Sequence, residues 1–388
     1  MNDRPLRLGS RKSPMAMAQS RQLAGMITGR TGRPVKIVGV ATLGDVSRAQ
    51  LAQLGGTGVF VSALREALLA GEVDLAVHSL KDLPAGPADG IVLAAVPPRD
   101  DPRDALAAPD GAKLADLPAG ARIGTGSPRR AAQLLALRGD LRCVPIRGNA
   151  DTRLAKVGSG EVNGVVLAYA GLARLGCLHA VTQVFEPEEI LPAPGQGALA
   201  VECRDGEPEL AALLDAVTDL ASLAAVTAER SLLEALQAGC SAPIGAYAAW
   251  PAGGSGGVVP PGKHDQLRMQ AAVMSTDGRR VLRAHGTAAA GARRLGRDLA
   301  EELLRAGAPD LIRDMEGTER RERAERYAVV GQTVALYARL AETGERQQIF
   351  RDLTVIELKH AAHWESTRRY VARPSSRRLG PASRPIAF

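Results

Sequence analysis

The sequence predicts an α/β protein with two similar lobes, followed by a small α+β domain and a C-terminal helical extension. Three observations predict this: strand-like runs alternate with helical segments over the first two hundred residues, phrases recur within that stretch, and the composition changes near residue 315. Such alternation is typical of parallel sheets with helices on their faces. A chain of 388 residues is long enough for two or three domains.

The first lobe begins with a predicted strand at residues 6–10 and a helix that starts at Ser13-Pro14. Serine is a preferred N-cap, and proline suits the first helical position. Further strands are predicted at residues 35–40 and 73–77. The glycine-rich stretch 42–60 has two interpretations, a lid over a cleft or an ordinary flexible connection.

The second lobe repeats this order. A strand-like run at residues 121–126 leads into Ser127-Pro128 and a helix, and another follows at residues 141–146. Because two α/β lobes suggest a cleft between them, we expect a ligand beyond the carboxyl ends of the strands. Three segments that directly follow strand-like runs are therefore expected to face this cleft: residues 78–82, 124–130 and 147–153.

Residues 187–200 are predicted to cross back between the lobes, and a helix at residues 220–236 leads to Cys240. Strands and then a helix follow, which is typical of an α+β domain. We therefore divide the chain into residues 1–97 with 198–217 for the first lobe, 98–197 for the second lobe, 218–314 for the α+β domain and 315–388 for the extension.

The extension differs from the rest of the chain in charge and in aromatic content. It holds 14 Lys and Arg against 9 Asp and Glu, whereas residues 1–314 are nearly neutral with 35 against 33. The near neutrality of the body gives no indication of nucleic-acid binding. Two amphipathic helices are predicted at residues 319–342 and 345–372, and a disordered end at residues 373–388.

Glu357 and His360 would share one face of the second of these helices, with a spacing that di-iron bundles use. The preceding helix offers no evident partner carboxylate, so we interpret the pair as structural. The six histidines are scattered along the chain. We predict no metal site.

The four cysteines have no CxxC or disulfide-framework spacing. We find no apolar run long enough to span a bilayer and no apolar segment of the signal-peptide type at the N-terminus. These features predict a cytoplasmic protein with free thiols.

Arginines are frequent in the predicted loops. A guanidinium binds carboxylate or phosphate through two parallel hydrogen bonds, and Ser127 at a helix start adds free backbone donors. This pattern favours a ligand with several carboxylates over surface salt bridges alone. The arginines are Arg11, Arg129, Arg130, Arg147, Arg153 and Arg174.

Asp82 and Cys240 are the candidates for chemistry. Asp82 follows Lys81 near the end of a predicted strand, where a carboxylate can transfer protons or stabilise a developing cation. Cys240 lies in a predicted loop, where a thiol can be reached, but cysteine is often a small buried apolar residue. The residues alone leave a structural and a reactive role open for Cys240.

Five phrases stand out in residues 4–314: His-Ser-Leu-Lys-Asp-Leu-Pro (78–84), Gly-Thr-Gly-Ser-Pro-Arg-Arg (124–130), Arg-Gly-Asn-Ala-Asp-Thr-Arg (147–153), Leu-Pro-Ala-Pro-Gly-Gln-Gly-Ala (191–198) and Ala-Gly-Cys-Ser-Ala-Pro-Ile-Gly (238–245). Together they resemble the hydroxymethylbilane synthase family, also called porphobilinogen deaminase, and occur in the family's order. The resemblance implies lobes like those of periplasmic binding proteins and an enzyme of tetrapyrrole and heme biosynthesis.

The resemblance also implies a transferase that condenses four porphobilinogen molecules head to tail, with loss of ammonia and hydrolytic release of hydroxymethylbilane. It implies a dipyrromethane cofactor in thioether linkage to Cys240, and Asp82 as the catalytic carboxylate. Residues implied to bind the cofactor are Lys81, Thr125, Ser127, Arg129, Arg130 and Arg147. Residues implied to bind substrate are Arg11, Ser13, Arg147, Arg153, Arg174 and Gln196.

Gln53 and Thr57 depart from the family pattern, because many relatives have lysines in this glycine-rich segment. An alternative hypothesis is a two-lobed binding protein for an acidic small molecule, which needs neither Cys240 nor the α+β domain. A second is nucleic-acid binding by the arginine-rich extension, against which its acidic residues count. We predict no nucleic-acid or membrane partner, and a monomer unless the extension mediates association.

Overall fold

The structure, a computed structural model, describes residues 4–40, 58–238, 242–251 and 266–314, and only the backbone of residues 58–60. In chain order the helices and strands are β1 Leu6–Ser10, α1 Pro14–Thr31, β2 Val35–Gly39, α2 Gly58–Leu69, β3 Leu75–Ser79, β4 Ile91–Ala95, β5 Asp104–Ala107, β6 Arg122–Gly124, α3 Pro128–Leu137, β7 Arg142–Val144, α4 Ala150–Gly158, β8 Gly164–Ala168, α5 Tyr169–Arg174, β9 Gln183–Val184, β10 Leu199–Arg204, α6 Pro208–Asp215, α7 Leu220–Ala235, β11 Ile244–Ala249, β12 Leu267–Met274, β13 Val281–Ala288 and α8 Ala292–Arg305.

The first two sheets have the same design, which confirms the predicted α/β repeat. The first has the order β2-β1-β3-β10-β4 and the second the order β7-β6-β8-β5-β9. In each sheet the first three strands run parallel, and the fourth is antiparallel to both of its neighbours. The expected parallel strands are therefore present, and each sheet adds one strand that runs against them. In each sheet the antiparallel strand is the one that the chain forms after crossing between the lobes. It is β5 where the chain enters the second lobe and β10 where it returns to the first.

The predicted N-caps of the two lobes are confirmed. The Ser13 hydroxyl accepts a hydrogen bond from the Ala16 amide at 3.3 Å, at the start of α1. The Ser127 hydroxyl accepts one from the Arg130 amide at 3.4 Å, at the start of α3. In both cases a proline follows in the first turn, where its missing N–H costs nothing.

The third sheet, β11-β12-β13, is antiparallel. Its apolar residues form a core with α7 and α8, including Leu232, Met269 and Leu303. This is the α+β architecture that the sequence predicts. No helix of the described ranges is by itself apolar and long enough to cross a bilayer; α6 and α7 meet that test only as a pair, bent by 113°.

The hairpin turn between β12 and β13 packs against α3 of the second lobe. Gly278 in this turn has φ +71°, and a Cβ placed on it would lie 2.3 Å from the Ala132 carbonyl oxygen and 2.8 Å from the Ala136 amide nitrogen. Only glycine allows the turn to approach the helix this closely. The α+β domain therefore packs against α3, whose first turn contains Arg129 and Arg130.

We expect Gly278→Ala to destabilise the protein more than Gly160→Ala, although both glycines have nearly the same φ. A Cβ placed on Gly160, at φ +72°, would meet no atom of the described residues within 4 Å, so this position reports the backbone strain alone. That strain costs about 1–2 kcal/mol. The steric clash at Gly278 adds about 1–3 kcal/mol. Unfolding free energies from urea titrations measure the difference, and equal losses would contradict the close packing.

Candidate active site

Asp82 lies at the carboxyl end of β3, in a 3-10 turn that spans Leu80–Asp82. Leu80 and Leu83 are 1% and 3% exposed and pack in one apolar cluster, whereas Asp82 between them remains partly exposed. The Leu80 amide donates to the Ala198 carbonyl at 3.0 Å, which ties the turn to the crossing segment. The buried leucines therefore anchor a turn that presents Asp82 at the end of the strand.

His78 does not face the cleft, contrary to the prediction for residues 78–82. It lies inside β3, is 6% exposed, and its Nε2 is 3.0 Å from Glu202 Oε2 on β10. Arg65 also binds Glu202, with Nη2 2.6 Å from Oε1. Alternation along the strand explains the difference, because β3 continues through Ser79 and carries His78 into the interior.

Arg129 and Arg130 occupy the first turn of α3, which starts at Ser127-Pro128 as predicted, and at 3% and 7% exposed they are buried rather than part of a loop. Both bind Asp104, a fully buried residue at the start of β5. Arg129 Nη1 lies 2.8 Å from Oδ2, and Arg130 Nη2 lies 2.7 Å from Oδ1. Burial alone would raise the pKa of Asp104, but the two guanidinium charges outweigh it and lower that pKa.

Gln196 connects this ion pair to Lys81. It is fully buried, and its Nε2 donates to Asp104 Oδ1 at 2.8 Å. Its Oε1 accepts from Lys81 Nζ and from Arg130 Nη2, both at 3.3 Å. One amide from the crossing segment thus holds a lysine of the first lobe and an arginine of the second lobe within the same network.

Burial and the neighbouring charge of Arg130 lower the pKa of Lys81 from 10.5 to about 8. Because the folded value lies below the ordinary one, the unfolded chain binds the proton more tightly. Charged Lys81 therefore destabilises the fold below about pH 8, and this penalty is relieved as the pH rises toward 10.5.

We accordingly expect the unfolding free energy of the native protein to rise relative to that of Lys81→Met as the pH increases from about 8 to 10.5. Paired denaturant titrations of the two proteins across this window measure the effect. A constant difference between them would show that Lys81 keeps its ordinary proton affinity on folding.

The remaining predicted binding residues surround this network. Arg174, at the end of α5, lies with Nη2 2.7 Å from Asp100 Oδ2 and donates to the Gly197 carbonyl at 2.9 Å. Arg153 lies in α4, and burial together with the charge of Arg130 lowers its pKa. Thr125 is buried, and its Oγ1 accepts from the Ser127 amide at 3.2 Å. The helical positions of Arg153 and Arg174 correct the prediction that they lie in loops.

Arg11 and Arg147 are placed after β1 and after β7, at corresponding carboxyl ends of strands in the two lobes. Arg11 is partly exposed and Arg147 is exposed. Cys240 lies outside the described residues, as do Gln53, Thr57 and the extension with Glu357 and His360.

Asp104 is the functional residue that the sequence analysis missed. Its signal was a charged residue opening an apolar strand, Ala105 to Ala107, all buried. Because a buried acid is rarely found without a partner, a charged residue at this position predicts a buried cation nearby.

The site has an excess of positive charge, which suits a ligand with several carboxylates. Arg129 and Arg130 share the carboxylate of Asp104, and Lys81 joins them through Gln196, with the charge of Asp82 also acting on it. Arg129 Nε is buried without a hydrogen-bond partner among the described residues. A buried donor of this kind is costly unless something accepts from it. The donor set therefore fits a dipyrromethane, whose acetate and propionate groups are acceptors.

The chain that follows Cys240 is attached to the same cluster. The Ala246 amide donates to the Pro192 carbonyl at 3.0 Å, and a Cβ on Gly245 would lie 2.6 Å from Leu191 Cβ. The Leu191 carbonyl in turn accepts from Arg129 Nη1 at 2.5 Å. Leu191 therefore contacts both the start of β11 and the buried Arg129.

Two family models match the chain. Residues 6–212 match the model described as porphobilinogen deaminase, dipyromethane cofactor binding domain, and residues 223–305 match the model described as porphobilinogen deaminase, C-terminal domain. Among solved structures, a putative methionine-binding lipoprotein from Bacillus subtilis aligns with a TM-score of 0.36 and 15% identity, covering 56% of this chain and 92% of the other.

Curated relatives are similar over nearly their whole length. The porphobilinogen deaminase of Thermobifida fusca is 57% identical over 323 residues, which is 81% of this chain and 98% of the relative. Porphobilinogen deaminase 1 of Streptomyces coelicolor is 51% identical, covering 80% and 98%. The Mycobacterium tuberculosis protein, also a porphobilinogen deaminase, is 49% identical, covering 79% and 98%.

Proposed function

The chain belongs to the porphobilinogen deaminase family, and on that premise we propose that Asp82 is its catalytic carboxylate and Cys240 its site of cofactor attachment. The enzyme is a hydroxymethylbilane synthase, a transferase that condenses porphobilinogen on a dipyrromethane cofactor in tetrapyrrole and heme biosynthesis. The alternative of a two-lobed binding protein lacks a role for the matched C-terminal domain.

The single observation that carries the assignment of residues is the excess positive charge around Asp104, which Gln196 links to Lys81, the neighbour of Asp82. Arg129 and Arg130 both pair with this one carboxylate, and Lys81 is linked to it only through Gln196, so the cationic donors outnumber it. Arginine binds carboxylates in a fixed geometry and stays charged throughout. We assign these residues, with Thr125, Ser127 and Arg147, to the carboxylates of the cofactor.

We assign a second set of residues to the carboxylates of porphobilinogen: Arg11, Ser13, Arg147, Arg153, Arg174 and Gln196. The direct contacts of Gln196 in this structure are to Asp104, Lys81 and Arg130, so it acts on substrate through the groups that it orients. Each condensation adds an acetate and a propionate, which is why one site needs many cations.

The dipyrromethane, when bound, supplies the pyrrole carbon at which chain growth begins. The protein's own contribution is at Asp82. Its carboxylate oxygens can stabilise positive charge that develops on the reacting pyrroles and can carry the proton that leaves. The partly exposed position at a strand end suits contact with a substrate. Holding the growing chain by a tether keeps its reacting end at a high effective concentration.

We propose the domain division given above, in which residues 1–97 with 198–217, 98–197 and 218–314 form the two lobes and the α+β domain. The three separate sheets and the return of β10 to the first sheet support it. We further propose a cytoplasmic protein that binds neither nucleic acid nor membrane and is a monomer unless the extension mediates association. The free thiols of Cys143, Cys177 and Cys203 suit a reducing compartment.

An intact mass spectrum tests the attachment site. After incubation with porphobilinogen, we expect the native protein to carry an adduct of two pyrrole units, and Cys240→Ser to carry none. Cys177→Ser, which removes a partly exposed thiol elsewhere, is the matched control and should load normally. An adduct on the Cys240→Ser protein, or none on the native protein, would contradict the proposal.

A further inference from the structure

Arg230, on α7 of the α+β domain, binds the backbone that directly follows Asp82. Its Nη1 donates to the Leu83 carbonyl at 3.2 Å, and its Nη2 donates to the carbonyls of Pro84 at 2.7 Å and Ala85 at 3.1 Å. Residues 83–85 belong to no helix or strand. One guanidinium therefore supplies three hydrogen bonds to carbonyls that lie outside regular secondary structure.

The helix that carries Arg230 is itself held firmly against the catalytic turn. Val226, one helical turn before Arg230, packs in the same cluster as Leu80 and Leu83.

Glu229, next to Arg230, is fully buried. It binds Arg99, with Oε1 2.7 Å from Nη1, and accepts a hydrogen bond from the Gly195 amide at 2.6 Å. These contacts fix the rotation of α7, so the guanidinium of Arg230 is directed at residues 83–85.

The same helix leads toward the proposed site of cofactor attachment, because α7 ends at Ala235 and Cys240 follows five residues later. The residues that directly follow Asp82 are thus bound by the domain that carries Cys240. A lysine at position 230 would keep the charge, but its single ammonium could not reproduce a planar fork that reaches three carbonyls.

We propose that Arg230 is a positioning residue for the reaction. It holds residues 83–85 and thereby keeps the Asp82 carboxylate in a fixed place relative to the chain tethered at Cys240. This inference rests on the proposed role of Asp82. A displacement of about 1 Å at a catalytic group can cost on the order of 10²-fold in rate.

The test is a double-mutant cycle in the loaded enzyme, with adduct formation checked by intact mass for every variant. We expect Arg230→Ala to lower kcat for porphobilinogen consumption on the order of 10²-fold with an unchanged KM, and Arg230→Lys to lower it less. In an Asp82→Asn background, Arg230→Ala should cause no further loss, because the group that it positions is already disabled.

Arg293→Ala is the matched control, since Arg293 also lies in the α+β domain and makes an exposed contact, Nη1 to Glu234 Oε2 at 3.2 Å. Its kcat should equal that of the native enzyme. Native-like kcat in Arg230→Ala would overturn the inference, as would an equal loss in both backgrounds, which is the result of general structural damage. If Arg230→Ala does not fold, Arg230→Lys is judged by the same cycle. Native-like turnover of Asp82→Asn alone would instead overturn the proposed role of Asp82.

Discussion

Asp82→Asn is expected to lower the rate of porphobilinogen consumption by about 10²–10⁴-fold while the fold and the Cys240 adduct persist. The substitution keeps the size and shape of the side chain and removes only its ability to carry charge and exchange a proton. The turn itself is anchored by Leu80 and Leu83, which are buried on either side. Steady-state rates measure the loss, and intact mass and circular dichroism verify cofactor and fold.

Asp89→Asn provides the control for this experiment. Asp89 is an exposed carboxylate seven residues further along the same connection, and we expect its variant to keep the native rate. If Asp82→Asn turned over as fast as the native enzyme, the catalytic carboxylate would have to be sought elsewhere in the cleft.

Much of the fold could be predicted from the sequence because the signals are local. The caps at Ser13 and Ser127 depend on a hydroxyl and an amide three residues apart. The repeated order of strands and helices follows from alternation along each half of the chain, and the observed sheet orders match one another. Asp82 could be placed near a strand end for the same reason.

The contacts that define the site could not be predicted in this way, because their partners are far apart in the sequence. Asp104 meets Arg130 across 26 residues, and Gln196 meets Asp104 across 92. Isolated arginines in a sequence give no indication of whether they will be buried on α3 or exposed in a loop. The return of the chain to the first lobe could be predicted, but the antiparallel direction of β10 depends on its pairing with β3 and β4, which no local pattern encodes.

The burial of Asp104 explains how the site can hold two arginines in the interior before any ligand arrives. A buried guanidinium without a counter-ion is strongly unfavourable, and one carboxylate between two of them offsets part of that cost. The positive charge that remains is available to carboxylates of the ligand. The acid thus supports a cluster whose net charge stays positive.

Asp104→Asn is therefore expected to destabilise the protein by about 3–5 kcal/mol, since it leaves the buried Arg129 and Arg130 without a charged partner. Denaturant titration at neutral pH measures the loss. Because the folded-state pKa of Asp104 is lowered, its stabilisation is present above the unfolded value of about 3.9 and disappears as the pH falls through the folded one. The difference between native and variant proteins should shrink accordingly in acid.

Two comparisons separate this effect from the general cost of losing an aspartate. Asp140→Asn removes the carboxylate partner of Arg138 in a partly exposed pair of the same lobe, with an Nη2–Oδ2 distance of 2.7 Å, and should change stability little. Adding Arg130→Met to Asp104→Asn should recover part of the lost stability, because one uncompensated buried charge is then gone. Simple additivity of the two losses would show that the carboxylate and the guanidinium act independently, and the ion pair would no longer account for the burial of these arginines.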